Sequence, residues 1–152
     1  VPTIAKWPGK IKPGTTSDHI SAFWDWLPTL SEVAGGQTPN NIDGISMLPA
    51  MEGKEQKKHN YLYWEFPSYG VQQAVRMGNW KGIRQKMSKA KKSADLVTEL
   101  YDLKNDPGEN DNLANKHPEI VRKIESIMVE ARTPSKLFPL LPEERQLARK
   151  AK

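Results

Sequence analysis

The sequence predicts an α+β fold: a four-stranded antiparallel sheet with a C-terminal helix packed across it, preceded by one more strand and helix. Three observations predict it. Residues 61–103 alternate apolar and polar side chains between turn residues, the period of half-buried strands. Residues 118–132 repeat apolar side chains at helical spacing. Residues 2–35 hold a short apolar run, two Pro-Gly turns and a second helical stripe.

In chain order, residues 2–7 read as a short buried strand, ended by Pro8-Gly9 and followed by a turn at Pro13-Gly14. Residues 17–35 read as an extended piece entering a helix. Asp25 is placed to cap it and Pro28 lies in its first turn. Leu27, Leu30 and Ala34 share a face with Val33 beside them, and Gly35-Gly36 is a C-terminal stop. Residues 36–58 form a connector with a helical turn near Leu48–Met51. The main boundary falls there, dividing 1–53 from 54–140 and leaving 141–152 as a basic, loosely held tail.

Residues 61–66 place Leu62, Trp64 and Phe66 on one face and Tyr61, Tyr63 and Glu65 on the other. Residues 71–77 and 80–85 follow as strands, and Gly78-Asn79 between them suits a two-residue hairpin. A basic loop over 86–94 leads to the strand 98–103, closed by Asp106-Pro107-Gly108. In the helix 118–132, Pro118 and Glu119 suit the N-terminus. Ile120, Val121, Ile124, Ile127, Met128 and Ala131 form the stripe that must meet the sheet.

Composition excludes several classes. The absence of cysteine removes disulfides, thiolate metal sites and a cysteine nucleophile. No apolar run is long enough to span a membrane. The 12 aromatic residues (5 Trp, 4 Tyr, 3 Phe) argue against a disordered chain. The chain opens at Val1, directly in strand-like sequence, and reads as a cut from something longer. The net charge of +5 is concentrated in Arg84, Lys86, Lys89, Lys91 and Lys92 and in the tail, the remainder being slightly acidic. Such clusters are either solvated segments or attractors of polyanions.

No nucleophile elbow, phosphate loop, dinucleotide fingerprint or zinc-protease motif is present. His19, His59 and His117 lack ligand-like spacing, and His117 reads as a surface or cap residue. Tyr63-Trp64-Glu65-Phe66 sets a carboxylate among aromatics near the Tyr69-Gly70 loop. Glu65 is either a reader of sugar hydroxyls or a cross-strand partner of Arg76, and Arg76 in turn either pairs with Glu65 or meets an anionic substrate.

An ordered series of segments resembles the type I, formylglycine-dependent sulfatases. It runs from Val1-Pro-Thr-Ile-Ala-Lys-Trp-Pro-Gly through Asp25-Trp-Leu-Pro-Thr-Leu and Ile42-Asp-Gly-Ile-Ser. It continues through Tyr61-Leu-Tyr-Trp-Glu-Phe and Gln73-Ala-Val-Arg-Met-Gly-Asn-Trp-Lys to Glu99-Leu-Tyr-Asp-Leu-Lys-Asn-Asp-Pro-Gly-Glu and Asn112-Leu-Ala. Together these cover roughly residues 1–140.

The resemblance implies an alkaline-phosphatase-like sulfuric ester hydrolase of which this is the C-terminal portion. Residues 1–53 would end its large α/β domain, and 54–140 would form the small C-terminal subdomain bordering the substrate cleft. It implies a formylglycine nucleophile and a calcium ion in the parent enzyme, with neither expected in this fragment. No catalytic or metal-binding residue carries over. His59, Trp64, Glu65, Gln72 and Arg76 are the candidates for lining the cleft. The implied substrate is a sulfated glycan or aryl sulfate, and the implied partner is the missing N-terminal domain, with no nucleic acid and no membrane. A periplasmic or secreted bacterial parent is expected. The orphan strand and helix invite a non-native dimer. The alternative reading is a non-enzymatic basic module that binds polyanions, either sulfated glycan or nucleic acid.

Overall fold

The computed structural model describes residues 2–150, which form two compact units, one through Asn60 and one from Tyr61. The division falls slightly later than the boundary read from the sequence.

In the first unit, a 3-10 turn, Phe23–Asp25, runs into α1 (Trp26–Val33), and α2 (Leu48–Met51) follows the connector. Gly35, at φ 68°, ends α1 as a left-handed stop, and the Gly36 amide donates back to the Ser31 carbonyl at 2.8 Å. Asp25 stands at the start of α1 but does not cap it. Its fully buried carboxylate accepts the Ala22 amide at 2.7 Å, closing the preceding turn, and the Ile45 amide at 2.8 Å, fixing the connector. Thr29 donates to the Asp25 carbonyl at 2.6 Å and accepts the Met47 amide at 2.9 Å. Gly44 is required here, because a Cβ would lie 2.4 Å from the Trp24 carbonyl oxygen. α1 buries Pro28 and Thr29, while Leu27, Leu30 and Val33 are exposed.

The strand expected at residues 2–7 does not form. These residues run without regular structure, and Ile4 is 95% exposed. A strand needs a neighbour to take up its amides and carbonyls. All the ladder pairing among the described residues is in the second unit.

There, β1 (Leu62–Phe66), β2 (Gln72–Met77), β3 (Trp80–Arg84) and β4 (Glu99–Asp102) make an antiparallel sheet in simple sequential order. Each strand lies within one or two residues of its sequence expectation. Gly78, at φ 59°, opens the two-residue hairpin between β2 and β3. α3 (Pro118–Glu130) covers one face. Its Ile124, Ile127 and Met128 pack with Val75 and Leu100, flanked by Tyr61, Tyr63, Met77 and Trp80. The helix approaches β3 so closely that a Cβ on Gly82 would lie 2.4 Å from Ile124 Cγ2.

The tail, helix-prone in sequence, forms α4 (Pro142–Lys150), with Leu140 and Pro142 buried. Glu144 accepts the Leu140 amide at 3.0 Å and the Leu141 amide at 3.2 Å, satisfying donors at its own helix start. Arg132, just beyond α3, grips Glu144 with two hydrogen bonds of 2.7 Å. Arg145 donates to the Met87 carbonyl and Gln146 to the Lys91 carbonyl, both at 2.6 Å.

Candidate functional site

Antiparallel pairing sorts the sequence candidates by face, because directly opposed residues share one. Trp64, Ala74 and Ile83 stand opposite one another, as do Leu62, Arg76 and Lys81, and Phe66 faces Gln72. Trp64, Gln72 and Arg76 therefore lie together on the sheet face away from α3. Glu65 lies on the other face, opposite Gln73.

A Glu65–Arg76 pair is thus ruled out. Glu65 accepts the Tyr63 hydroxyl and stands 3.1 Å from Arg132 Nε, a charge contact rather than an aligned hydrogen bond. The Gln73 side-chain amide joins this network, donating to the Tyr63 oxygen at 2.9 Å and to the Met128 carbonyl at 3.1 Å. Burial, then the bond to Glu65, push the Tyr63 phenol well above its usual range, so it stays a neutral donor. Arg76 instead donates to the Gly78 carbonyl at 3.2 Å and has no acidic partner among the described residues. Its neighbour Lys81 is paired with Glu109 at 2.5 Å.

His59 belongs to the first unit. Its side chain is 10% exposed, and Nε2 lies 2.8 Å from an Asp25 carboxylate oxygen. It clasps the end of the unit onto the start of α1. His19 lies in the same electrostatic neighbourhood. Burial lowers its pKa, Asp25 opposes that shift, and His59 and Lys58 reinforce it.

Beside Trp64, the β1–β2 connection carries a feature the sequence reading left out of its candidates. The rings of Phe66 and Tyr69 stack at 5.8 Å with 13° between their planes, and Tyr69 is 84% exposed. Tyr69, Gly70 and Val71 have φ of 50°, 85° and 63° in succession. The left-handed region is unfavourable for a tyrosine and more so for a β-branched valine. The loop is held there by the Met87 amide donating to the Val71 carbonyl at 3.0 Å and the Ser88 amide donating to the Gly70 carbonyl at 2.9 Å. Val71 is itself buried with Met87 and Leu140. Two aromatics three residues apart around a Ser-Tyr-Gly turn were the available signal. The backbone twist that stacks them depends on Met87 and Leu140, both far away in sequence.

The arrangement offers flat aromatic faces, an amide and a guanidinium. Among the described residues no three His, Asp or Glu side chains are grouped to hold a metal ion.

Comparison with known proteins shows the family. Residues 1–133 match the family described as N-sulphoglucosamine sulphohydrolase, C-terminal. An ulvan-active sulfatase of Formosa agariphila is 34% identical over 144 residues, covering 76% of this chain and 29% of that protein. Human arylsulfatase A is 34% identical over 152 residues, covering 84% of this chain and 29% of that protein. The solved structure of a 2-O GAG sulfatase superposes with a TM-score of 0.59 at 31% identity, covering 70% of this chain and 23% of that one. The chain therefore spans less than a third of the length of the curated relatives it matches.

Proposed function

This chain belongs to the family of N-sulphoglucosamine sulphohydrolase C-terminal regions, and from that premise we propose that the protein carrying it hydrolyses sulfate esters on a glycan. The observation that carries the reading is the family match across residues 1–133. The ulvan-active sulfatase and the 2-O GAG sulfatase among the relatives support a sulfated polysaccharide as substrate, and the arylsulfatase A match keeps an aryl sulfate as the second substrate to test.

In this reading the chain supplies binding surface and no catalytic group. Trp64 offers a flat face to a sugar ring, Gln72 an amide to hydroxyls, and Arg76 a positive charge to sulfate. The formylglycine nucleophile and the calcium ion belong to the part of the protein outside this chain. Residues 1–53 complete the large α/β domain of that part, and 54–140 form the small subdomain. The exposed α1 face of Leu27, Leu30 and Val33 seats the large domain, and in its absence pairs with a second copy. A polymeric substrate fits a periplasmic or secreted location.

The test is sulfate release from a sulfated glycan and from an aryl sulfate by the full protein, with and without a calcium chelator. Release by the full protein, lost on chelation and absent for residues 1–152 alone, is expected. No release by the full protein, or turnover by the 152 residues alone, overturns the reading.

A further inference from the structure

We propose that the loop Lys86–Lys92 and α4 together form a binding surface for a sulfated polysaccharide, with the Phe66–Tyr69 stack at its edge. The sequence shows two separate basic segments. The fold makes them one surface: Arg145 donates to the Met87 carbonyl and Gln146 to the Lys91 carbonyl, while Glu143 accepts both the amide and the hydroxyl of Ser93 at 2.6 Å.

These contacts consume the loop's backbone groups and leave its lysines outward. Lys86, Lys89, Lys91 and Lys92 are exposed and have no acidic partner among the described residues. Of the acids that α4 brings, Glu144 is paired with Arg132, Glu143 keeps its charge while bound by Ser93, and Arg149 and Lys150 end the helix. The four loop lysines with Arg149 and Lys150 outnumber Glu143 and Asp95, so the surface is net positive. Beneath it lies a cavity of about 400 Å³ lined by Lys86, Lys89 and Lys91, with Leu96 and Val97 as apolar wall and Asp95 as its acid. The loop that carries the aromatic stack runs against this segment, since a Cβ on Gly70 would lie 3.4 Å from the Lys86 Cα.

Clustered cations beside exposed rings suit a chain of anionic rings. A sulfated glycan offers sulfates to the lysines and sugar faces to Phe66 and Tyr69. Single-stranded nucleic acid offers phosphates and bases. The choice of glycan rests on the function proposed above, whereas the charge and geometry of the surface do not.

The experiment uses the full protein and three labelled probes: heparin, desulfated heparin and single-stranded DNA of matching length, titrated at several salt concentrations. The wild type should bind heparin with salt-sensitive affinity, desulfated heparin at least ~10-fold more weakly, and DNA no better than heparin. Replacing Lys86, Lys89, Lys91 and Lys92 by Gln should weaken heparin binding at least ~10-fold and flatten its salt dependence, at modest contributions per exposed charge. Arginine at the same four positions should keep the binding, which separates lost charge from lost folding. Binding unchanged by the four Gln substitutions, equal binding of desulfated heparin, or preference for DNA overturns the proposal. Sulfate release from a sulfated glycan and from an aryl sulfate by the same preparations keeps the two readings apart. Binding without hydrolysis sinks only the proposed activity, and hydrolysis with unchanged binding by the Gln variant sinks only this surface.

Discussion

Arg132 and Glu144 are joined by two parallel hydrogen bonds of 2.7 Å, and the Arg132 side chain is only 6% exposed. The fork geometry matches a carboxylate in a way that a lysine ammonium does not. Arg132→Ala should lower stability by about 2–4 kcal/mol, below the full buried-pair range because Glu144 keeps some water contact. Arg132→Lys should recover less than half. Denaturant unfolding measures the loss, and amide exchange confined to residues 140–150 locates it. Uniform loss across the sheet would contradict the assignment.

The same contact sets an acid limit. Burial alone would raise the Glu144 pKa, but the Arg132 hydrogen bonds and the Leu141 and Leu140 amides outweigh it and hold the carboxyl below its ordinary 4.5. Glu143 is lowered too, by its bonds to Ser93. A carboxyl depressed in the folded state contributes stability above its unfolded pKa and loses it as pH falls through the folded value. Attachment of α4 should therefore hold from neutrality to about pH 4.5 and weaken below it. Exchange protection in α4 followed from pH 7 to 3, and lost on acidification rather than on alkalinisation, is the expected record.

Asp25 organises the first unit through one carboxylate that accepts two amides and contacts His59. Asp25→Ala leaves buried donors without partners, a loss of about 2–4 kcal/mol. Asp25→Asn keeps the shape but turns one acceptor into a donor, and should recover only part. Thermal unfolding of the full protein would reveal either result, and an Asp25→Ala variant as stable as wild type would refute the role.

Gly82 is where helix and sheet touch. Gly82→Ala forces a methyl against Ile124 and should cost about 1–3 kcal/mol through overpacking. Ile124→Val in the same chain should be less harmful than in wild type, because the two changes share one space. Simple additivity in a double-mutant cycle would show that the helix gives way instead.

Trp64→Ala and Arg76→Gln test the proposed cleft wall. Each should raise KM for a sulfated glycan several-fold with little change in kcat, the mark of lost substrate binding. Glu65→Gln should act through stability, because Glu65 serves Arg132 on the opposite face. A kcat collapse in Arg76→Gln with KM unchanged would place Arg76 in the chemistry instead.

The sheet was legible because its signals are local: alternation in residues 61–66, Gly78-Asn79 at the hairpin, and the helical stripe whose Ile124, Ile127 and Met128 meet Val75 and Leu100. What failed depended on distant partners. Residues 2–7 have strand-like composition but no neighbour among the described residues to complete a ladder. Residues 142–150 look like a polar, fraying helix until Arg132 and the loop carbonyls of Met87 and Lys91 are in place. Glu65 and Arg76 looked like natural partners by charge. Only the register shows them on opposite faces, and Glu65 beside an arginine at the far end of α3. Of the site candidates, Trp64, Gln72 and Arg76 share a face, while His59 serves the first unit.

The left-handed run Tyr69-Gly70-Val71 does more than shape a loop. Val71 shares its burial with Met87 and with Leu140, the residue that leads into α4. The backbone twist that holds the Phe66–Tyr69 stack and the seating of the final helix thus rest on one shared set of packed side chains. Linkage makes that relation reciprocal. A ligand that requires the stacked rings must fasten α4 more tightly, and a change that loosens α4 must weaken that ligand, though the two never meet.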